Sequence, residues 1–248
     1  MKLRVLTYNI HKGFPLVRKR LVLSEIREAI ESTKADIVCL QEVVGENVQL
    51  EKKIKDWPAE TQFEYLADRM WKHYAYGKNA VYPKGHHGNA ILSQYPIQAF
   101  HNTELTIQSL QQRGILHAMI EVVPLHKKLD IFCTHLDLLG KTRTQQLDRV
   151  IDLIRNQVQS DHPLILTGDF NERGAMVSQK LKTQLGLDDA YFLSHQKMGK
   201  TFPAWLPMFA LDRIYFRGIK LNNVEVLNHS GWTQTSDHLP VLAEFEFE

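Results

Sequence analysis

Nine short apolar runs rich in β-branched residues dominate the chain: Leu3–Ile10, Ile37–Leu40, Ala90–Leu92, Ile115–Val123, Leu129–Thr134, Leu164–Thr167, Leu211–Phe216, Val224–Leu227 and Leu239–Phe247. Their length and composition predict strands. Two longer stretches carry apolar residues at helical spacing. Leu21–Thr33 does so with Leu21, Ile26, Ala29 and Ile30, and Arg143–Val158 with Leu147, Val150, Ile151, Ile154 and Val158. Gln49–Lys55, Glu60–Trp71 and Met176–Leu185 are further helical candidates, and Gly186–Ala210 reads as an irregular loop. Strands alternating with helices, then a strand-rich C-terminal part, predict an α/β chain of stacked sheets covered by helices. No linker rich in Gly, Ser or Pro divides it, so residues 1–248 are expected to form a single domain.

Composition narrows the function classes. Hydrophobic residues at 44% and charged residues at 23% allow a full core and argue against disorder. A net charge of +2 gives no overall nucleic-acid footprint, although a local basic patch is compatible with it. Cys39 and Cys133 lie inside apolar runs and read as small buried hydrophobes, not a disulfide framework. The N-terminus lacks a signal-peptide apolar region, and no run approaches the ~18 apolar residues of a membrane span. A soluble, cytoplasmic protein with no transmembrane segment, a monomer, is the expectation.

A polar residue stands at the end of one apolar run after another: Asn9, Glu42, His135, Asp169 with Asn171, Asp212, and Asp237 with His238. Each alone is an ordinary turn or cap residue. Together they imply a shared edge, because carboxylates beside packed apolar strands are costly unless paired or metal-bound. Asn9, Glu42, Asp169, Asn171 and Asp237 offer hard oxygen donors, which suit Mg²⁺, Mn²⁺ or Ca²⁺ better than zinc. Asp169 and Asn171 are two apart, so on one strand they would share a face. Asp237 and His238 are adjacent, so serving one site requires a turn there.

Thr7-Tyr8-Asn9-Ile10, Gln41-Glu42-Val43, Thr134-His135-Leu136, Gly168-Asp169-Phe170-Asn171, Leu211-Asp212-Arg213-Ile214 and Ser236-Asp237-His238-Leu239-Pro240 occur in this order. The set resembles the endonuclease/exonuclease/phosphatase family over essentially the whole chain, nearer its sphingomyelinase-like and tyrosyl-DNA phosphodiesterase-like branches than its abasic-site endonucleases. The resemblance implies a four-layer αββα sandwich of two packed mixed β-sheets, DNase I-like. It implies a Mg²⁺- or Mn²⁺-dependent hydrolase of phosphodiesters, with a phosphomonoesterase or a silent phosphate-binding module as alternatives. It also implies roles: Asn9, Glu42 and Asp237 at the metal; Asp169 and Asn171 on the attacking water and the phosphate; His238, oriented by Asp212, on the scissile phosphate; His135 as a second phosphate contact or proton donor. Arg113 and Asn89 are implied substrate-binding residues. One departure stands out: many abasic-site endonucleases have an Asp two residues after the first Asn, where this chain has His11.

Three segments bear on the substrate, which the sequence leaves open between nucleic acid, a phospholipid headgroup and a small phosphodiester. Lys12, Arg18, Lys19 and Arg20 form a basic stretch without interleaved aromatics, as in a solvated helix start or a polyanion contact. Thr201–Phe209 contains two prolines among large apolar groups, either a loop packed on the core or an apolar wall or lid beside the site. Tyr82–Gly88 reads as a mobile loop or a hairpin turn.

Overall fold

The computed structural model describes residues 1–15, 20–107, 112–123, 127–160 and 162–247. Arg18 and Lys19 of the basic stretch lie outside them.

The described strands form two six-stranded mixed sheets. The first contains β1 (Lys2–Asn9), β2 (Ile37–Asn47), β3 (His73–Tyr82), β4 (Gly85–Ser93), β11 (Lys220–Val226) and β12 (Val241–Glu246), in the order β11-β12-β1-β2-β4-β3. The second contains β5 (Ile97–Glu104), β6 (Gly114–Val122), β7 (Lys127–His135), β8 (Leu164–Asp169), β9 (Asp188–Asp189) and β10 (Asp212–Arg217), in the order β5-β6-β7-β8-β10-β9. Helices α1 (Leu23–Ser32), α2 (Val48–Lys53), α3 (Gln62–Ala67), α4 (Gly140–Gln157), α5 (Met176–Leu185) and α6 (Ala190–His195), with short 3₁₀ helices at His11–Gly13 and Trp232–Gln234, complete the described elements.

Alternation along the strands assigns the layers. Val5, Cys39, Ile91, Ala118, Ile131, Cys133 and Phe245 project into the gap between the sheets and form one core cluster. The opposite face of the first sheet, through Leu6, Tyr8, Leu40 and Leu92, packs on Ile26 and Ile30 of α1 and Leu66 of α3. The opposite face of the second sheet, through Phe132, Leu166 and Tyr215, packs on Leu147, Val150 and Ile154 of α4 and Val177 and Leu181 of α5. The expected four-layer αββα sandwich is the observed one. Both cysteines are buried and free.

Strand directions decide where chemistry can sit. β1 and β2 are parallel, as are β7 and β8, and every other named strand pair is antiparallel. The C-terminal ends of β1, β7 and β8 therefore share one edge with the N-terminal ends of β6, β10 and β12. Open α/β sheets bind ligands beyond the carboxyl ends of their strands. Asn9, His135 and Asp169 end such strands, Asp212 opens β10, and Asp237 and His238 lie just ahead of β12.

The structure departs from the sequence reading in particular places. β2 continues past Leu40 to Asn47 through two bulges, with Glu42 at φ 56°. β3 and β5 carry too many polar positions to stand out as apolar runs; β5 is largely exposed. Gly186–Ala210 is not irregular throughout. It contains β9 and α6, whose Asp189 accepts a hydrogen bond from the Phe192 N–H as a helix N-cap. Tyr82–Gly88 is the β3–β4 hairpin. No helix among the described residues is long and apolar enough to cross a membrane.

Gly168 holds the site edge together. Its φ is 140°, and a Cβ there would lie 1.9 Å from the Thr134 carbonyl oxygen of the neighbouring strand. Gly168→Ala is therefore expected to lower the unfolding free energy by roughly 2–4 kcal/mol, from backbone strain plus overpacking. Urea unfolding reads this directly, and an unshifted midpoint would show that β7 yields without cost.

Candidate active site

Cross-strand register assembles the site. Asp212 is the antiparallel Cα partner of Asp169, and His135 is the parallel partner of Asp169. Two buried carboxylates thus stand side by side with an imidazole on the other flank. Asp169 Oδ1 accepts the Asn171 N–H at 2.9 Å, and Oδ2 accepts from Asn9 Nδ2 at 3.1 Å. The latter bond crosses from one sheet to the other. His135 Nε2 and His238 Nε2 lie 3.4 and 3.8 Å from the same oxygen.

His238 donates through Nδ1 to Asp212 Oδ2 at 2.7 Å. Thr201 Oγ1 donates to that oxygen at 2.6 Å and accepts from the N–H groups of Leu211 and Asp212. The His238 loop is itself clamped, because Ser236 Oγ donates to the Asn9 carbonyl at 2.7 Å. Ala204 N–H donates to the Asp237 carbonyl at 2.7 Å, and Leu239 N–H to the Thr201 carbonyl at 2.8 Å. The chain bends at Asp237 and His238, so both side chains reach one cavity, as the expected turn requires.

These contacts set the charges. Burial disfavours a charged imidazole at His238, but the Asp212 and Asp169 carboxylates outweigh it and raise its pKa to about 10. Burial pushes Asp169 up to about 6, with the Asp212 charge adding and the His238 charge opposing. His135 moves the other way: burial, reinforced by the Arg113 and His238 charges, drives it well below its ordinary value. The edge therefore holds a cationic His238 and a neutral His135 on either side of Asp169.

An open cavity of about 600 Å³ lies over this edge. Asn9, Glu42, Arg113, His135, Asp169, Asn171, Asp237 and His238 line it. Asp212 sits behind His238. Asn89 does not line it: its amide donates to the carbonyls of Gly114 and Cys133 and bridges the two sheets beneath the floor. Asn171 reaches the cavity differently from the expected strand parity. β8 ends at Asp169, and Asn171 adopts φ 50° with its amide on the Leu136 carbonyl.

The cavity also contains residues to which the sequence reading gave no site role. Arg143, at the start of α4, and the exposed Arg173 line it, as do Leu138, Glu172, Gly174 and Leu211. The Arg173 guanidinium lies 4.3 Å from the Phe209 ring centroid. His11 faces the cavity, 3.8 Å from Asp237, and Phe202 packs 4.8 Å from the His238 ring. Thr201 carried no signal, because its value lies in a contact across ten residues of loop.

Two groupings bear on a cation. Asp169, Asp212 and His238 have donor atoms within 4.8 Å of one another. They are already committed to each other and to Thr201, so an ion there would have to break the relay. Glu42 offers the better seat. Its Oε2 is buried without a hydrogen bond, and its nearest counter-charge is Lys12 Nζ at 3.4 Å. Burial opposes ionisation of Glu42, yet Lys12 and His11 keep its pKa below the ordinary value. With Asn9 and Asp237 on the same cavity wall, the donors are all oxygen and fit a hard divalent cation.

Residues 6–238 match the model of the Endonuclease/Exonuclease/phosphatase family. The chain is 39% identical over 241 residues to the uncharacterized protein YbhP of Escherichia coli (strain K12), covering 97% of this chain and 95% of that protein. The endonuclease/exonuclease/phosphatase from Beutenbergia cavernae superposes with a TM-score of 0.80 at 20% identity, over 99% of this chain and 72% of that one. The human Nocturnin catalytic domain with bound sulfate anion superposes at 0.76 and 22% identity, over 100% of this chain and 94% of that one. The two-sheet sandwich is the DNase I-like fold. This chain belongs to the endonuclease/exonuclease/phosphatase family.

Thr201→Val keeps the side-chain shape but leaves Asp212 and two backbone N–H groups short of a partner. A loss of roughly 1–3 kcal/mol in chemical unfolding is expected. Unchanged stability would show that Thr201 does not hold the relay.

Proposed function

We propose that the protein is a divalent-metal-dependent hydrolase of phosphate esters, a phosphodiesterase acting through the edge described above. The observation that supports it is the cationic His238, held by Asp212 and 3.8 Å from Asp169, at a cavity that also contains the Glu42 carboxylate, whose buried Oε2 has no hydrogen bond. A cavity built for a neutral ligand would have no use for that separation of charge.

The phosphoryl group would sit between His238 Nε2, Arg113 and Asn171, whose donors neutralise its oxygens. Asp169 would orient the attacking water and take its proton, since its raised pKa makes it a better base than a free carboxylate. Asp212 keeps the His238 Nδ1 proton in place, so Nε2 carries the other proton toward the phosphate. His135, kept neutral by burial, can hydrogen-bond a phosphoryl oxygen or the leaving group. Glu42, Asn9 and Asp237 would hold Mg²⁺ or Mn²⁺, which neutralises phosphoryl charge and stabilises the leaving oxygen when bound. Sulfate bound to the Nocturnin catalytic domain shows that a relative of the same fold accepts a tetrahedral anion.

The test is hydrolysis of bis(p-nitrophenyl) phosphate beside its monoester, with Mg²⁺, with Mn²⁺ and after chelation. Diester turnover that needs the metal is expected. Asp169→Ala and His238→Ala should each lower kcat/KM by about 10²–10⁴-fold, the range for general acid–base groups. Full activity in both variants would reject the site. Turnover of the monoester alone would move the assignment to a phosphatase, and metal binding without turnover of either ester to a phosphate-binding module.

A further inference from the structure

Two loops that border the cavity carry large exposed apolar side chains. Trp205 is 68% exposed, Leu138 61% and Leu139 65%, and Leu206 and Met208 are about half exposed. They come from two loops. Leu138 lines the cavity and Leu139 follows it into α4. On the other loop Phe202 lines the cavity, and Trp205, Leu206 and Met208 form the tip.

The tip is not loose chain. Phe202 and Phe209 form a two-residue antiparallel bridge, and Leu206 N–H donates to the Pro203 carbonyl at 3.0 Å. The Ala204 N–H bond to Asp237 ties the loop to the bend that carries His238. The loop therefore presents large apolar groups outward from a base fixed to the reactive edge. Exposed large apolar groups clustered beside a polar pocket mark an interaction surface.

Charge specifies what it meets. Residues 138–147 contain Lys141 and Arg143 and no carboxylate, and residues 197–211 contain Lys197 and Lys200 and no carboxylate. Lys141 and Lys200 are exposed, and Arg143 and Arg173 line the cavity that Leu138 and Phe202 also line. In a chain of net charge only +2, this is local enrichment. Trp and aliphatic side chains flanked by cations suit the interface of an anionic bilayer, where the indole sits at headgroup level and the cations meet lipid phosphates.

We infer that the 138–139 and 203–208 loops dock the cavity onto the surface of an anionic phospholipid bilayer, so that the esters it receives are lipid headgroup phosphates. The substrate half of this rests on the hydrolase reading above; the docking half does not. Nucleic acid would find cations here too, but it has no use for Leu138, Leu139, Leu206 and Met208 together.

Flotation of the full chain with vesicles of phosphatidylcholine and phosphatidylglycerol, against phosphatidylcholine alone, tests the docking. The wild type should float with the anionic vesicles, with blue-shifted tryptophan emission. The double variant Trp205→Ser, Leu206→Ser should partition roughly tenfold more weakly or worse and hydrolyse soluble bis(p-nitrophenyl) phosphate as the wild type does. Wild-type failure to float, equal flotation of the variant, or binding of a single-stranded oligonucleotide in place of vesicles would overturn the inference. If the vesicles bind but no soluble or lipid ester is hydrolysed, the hydrolase reading and the lipid-substrate half fall and the docking surface stands.

Discussion

Two carboxylates on adjacent strands, Asp169 and Asp212, are both almost fully buried at the open edge of the sandwich. Neither can hold its charge there beside the other without a cation to share. His238 is that cation, bonded to one and 3.8 Å from the other. It comes from the chain entering β12 in the first sheet, whereas both aspartates belong to the second. The electrostatic need of one sheet is met by a residue of the other. The Asn9–Asp169 bond repeats the pattern. Behind this edge the sheets pack mainly through an apolar core; at the edge a charged cluster replaces it, and the same cluster is the candidate chemistry.

Backbone strain concentrates at the same place. Of the described non-glycine residues with positive φ, His11, Glu42 and Asn171 line the cavity and Lys12 pairs with Glu42, while Lys34 and Gln196 lie at helix ends. Each such residue costs on the order of 1–3 kcal/mol unless its surroundings compensate. The compensation is visible: His11 N–H is held by Asn9 Oδ1, and the Asn171 N–H by Asp169 Oδ1. At Glu42 the β2 bulge turns a carboxylate toward the cavity while the strand continues to Asn47.

That geometry explains what could be read in advance and what could not. Strands that are buried on both faces, such as β1, β7 and β8, announce themselves as apolar runs, and the polar residues that end them announce the edge. β3 and β5 are half-exposed and take their identity from pairing with β4 and β6, which composition does not encode. Asp189 caps a six-residue helix too short for a periodic signal. Strand parity placed Asp169 and Asn171 on one wall, but the chain turns between them; the shared wall comes from Asn171's left-handed backbone. Asn89, which the resemblance implied as a substrate contact, has its amide on two strand carbonyls instead of on the cavity wall. Thr201, Arg143 and Arg173 are brought in by tertiary closure alone.

The cavity is therefore built in two parts with different rules. Its floor is fixed by register: move β8 by one residue against β10 and Asp169 leaves the cavity. Its mouth is set by loops whose side chains Leu138, Arg143 and Arg173 make few demands on the core. Stability and the candidate site are coupled in the floor, since His238, Asp212 and Thr201 satisfy one another. Substitutions at the mouth escape that coupling. Loops over a register-fixed floor can vary without disturbing the fold beneath them, and in this chain the segments so placed are 138–143 and the 203–208 tip.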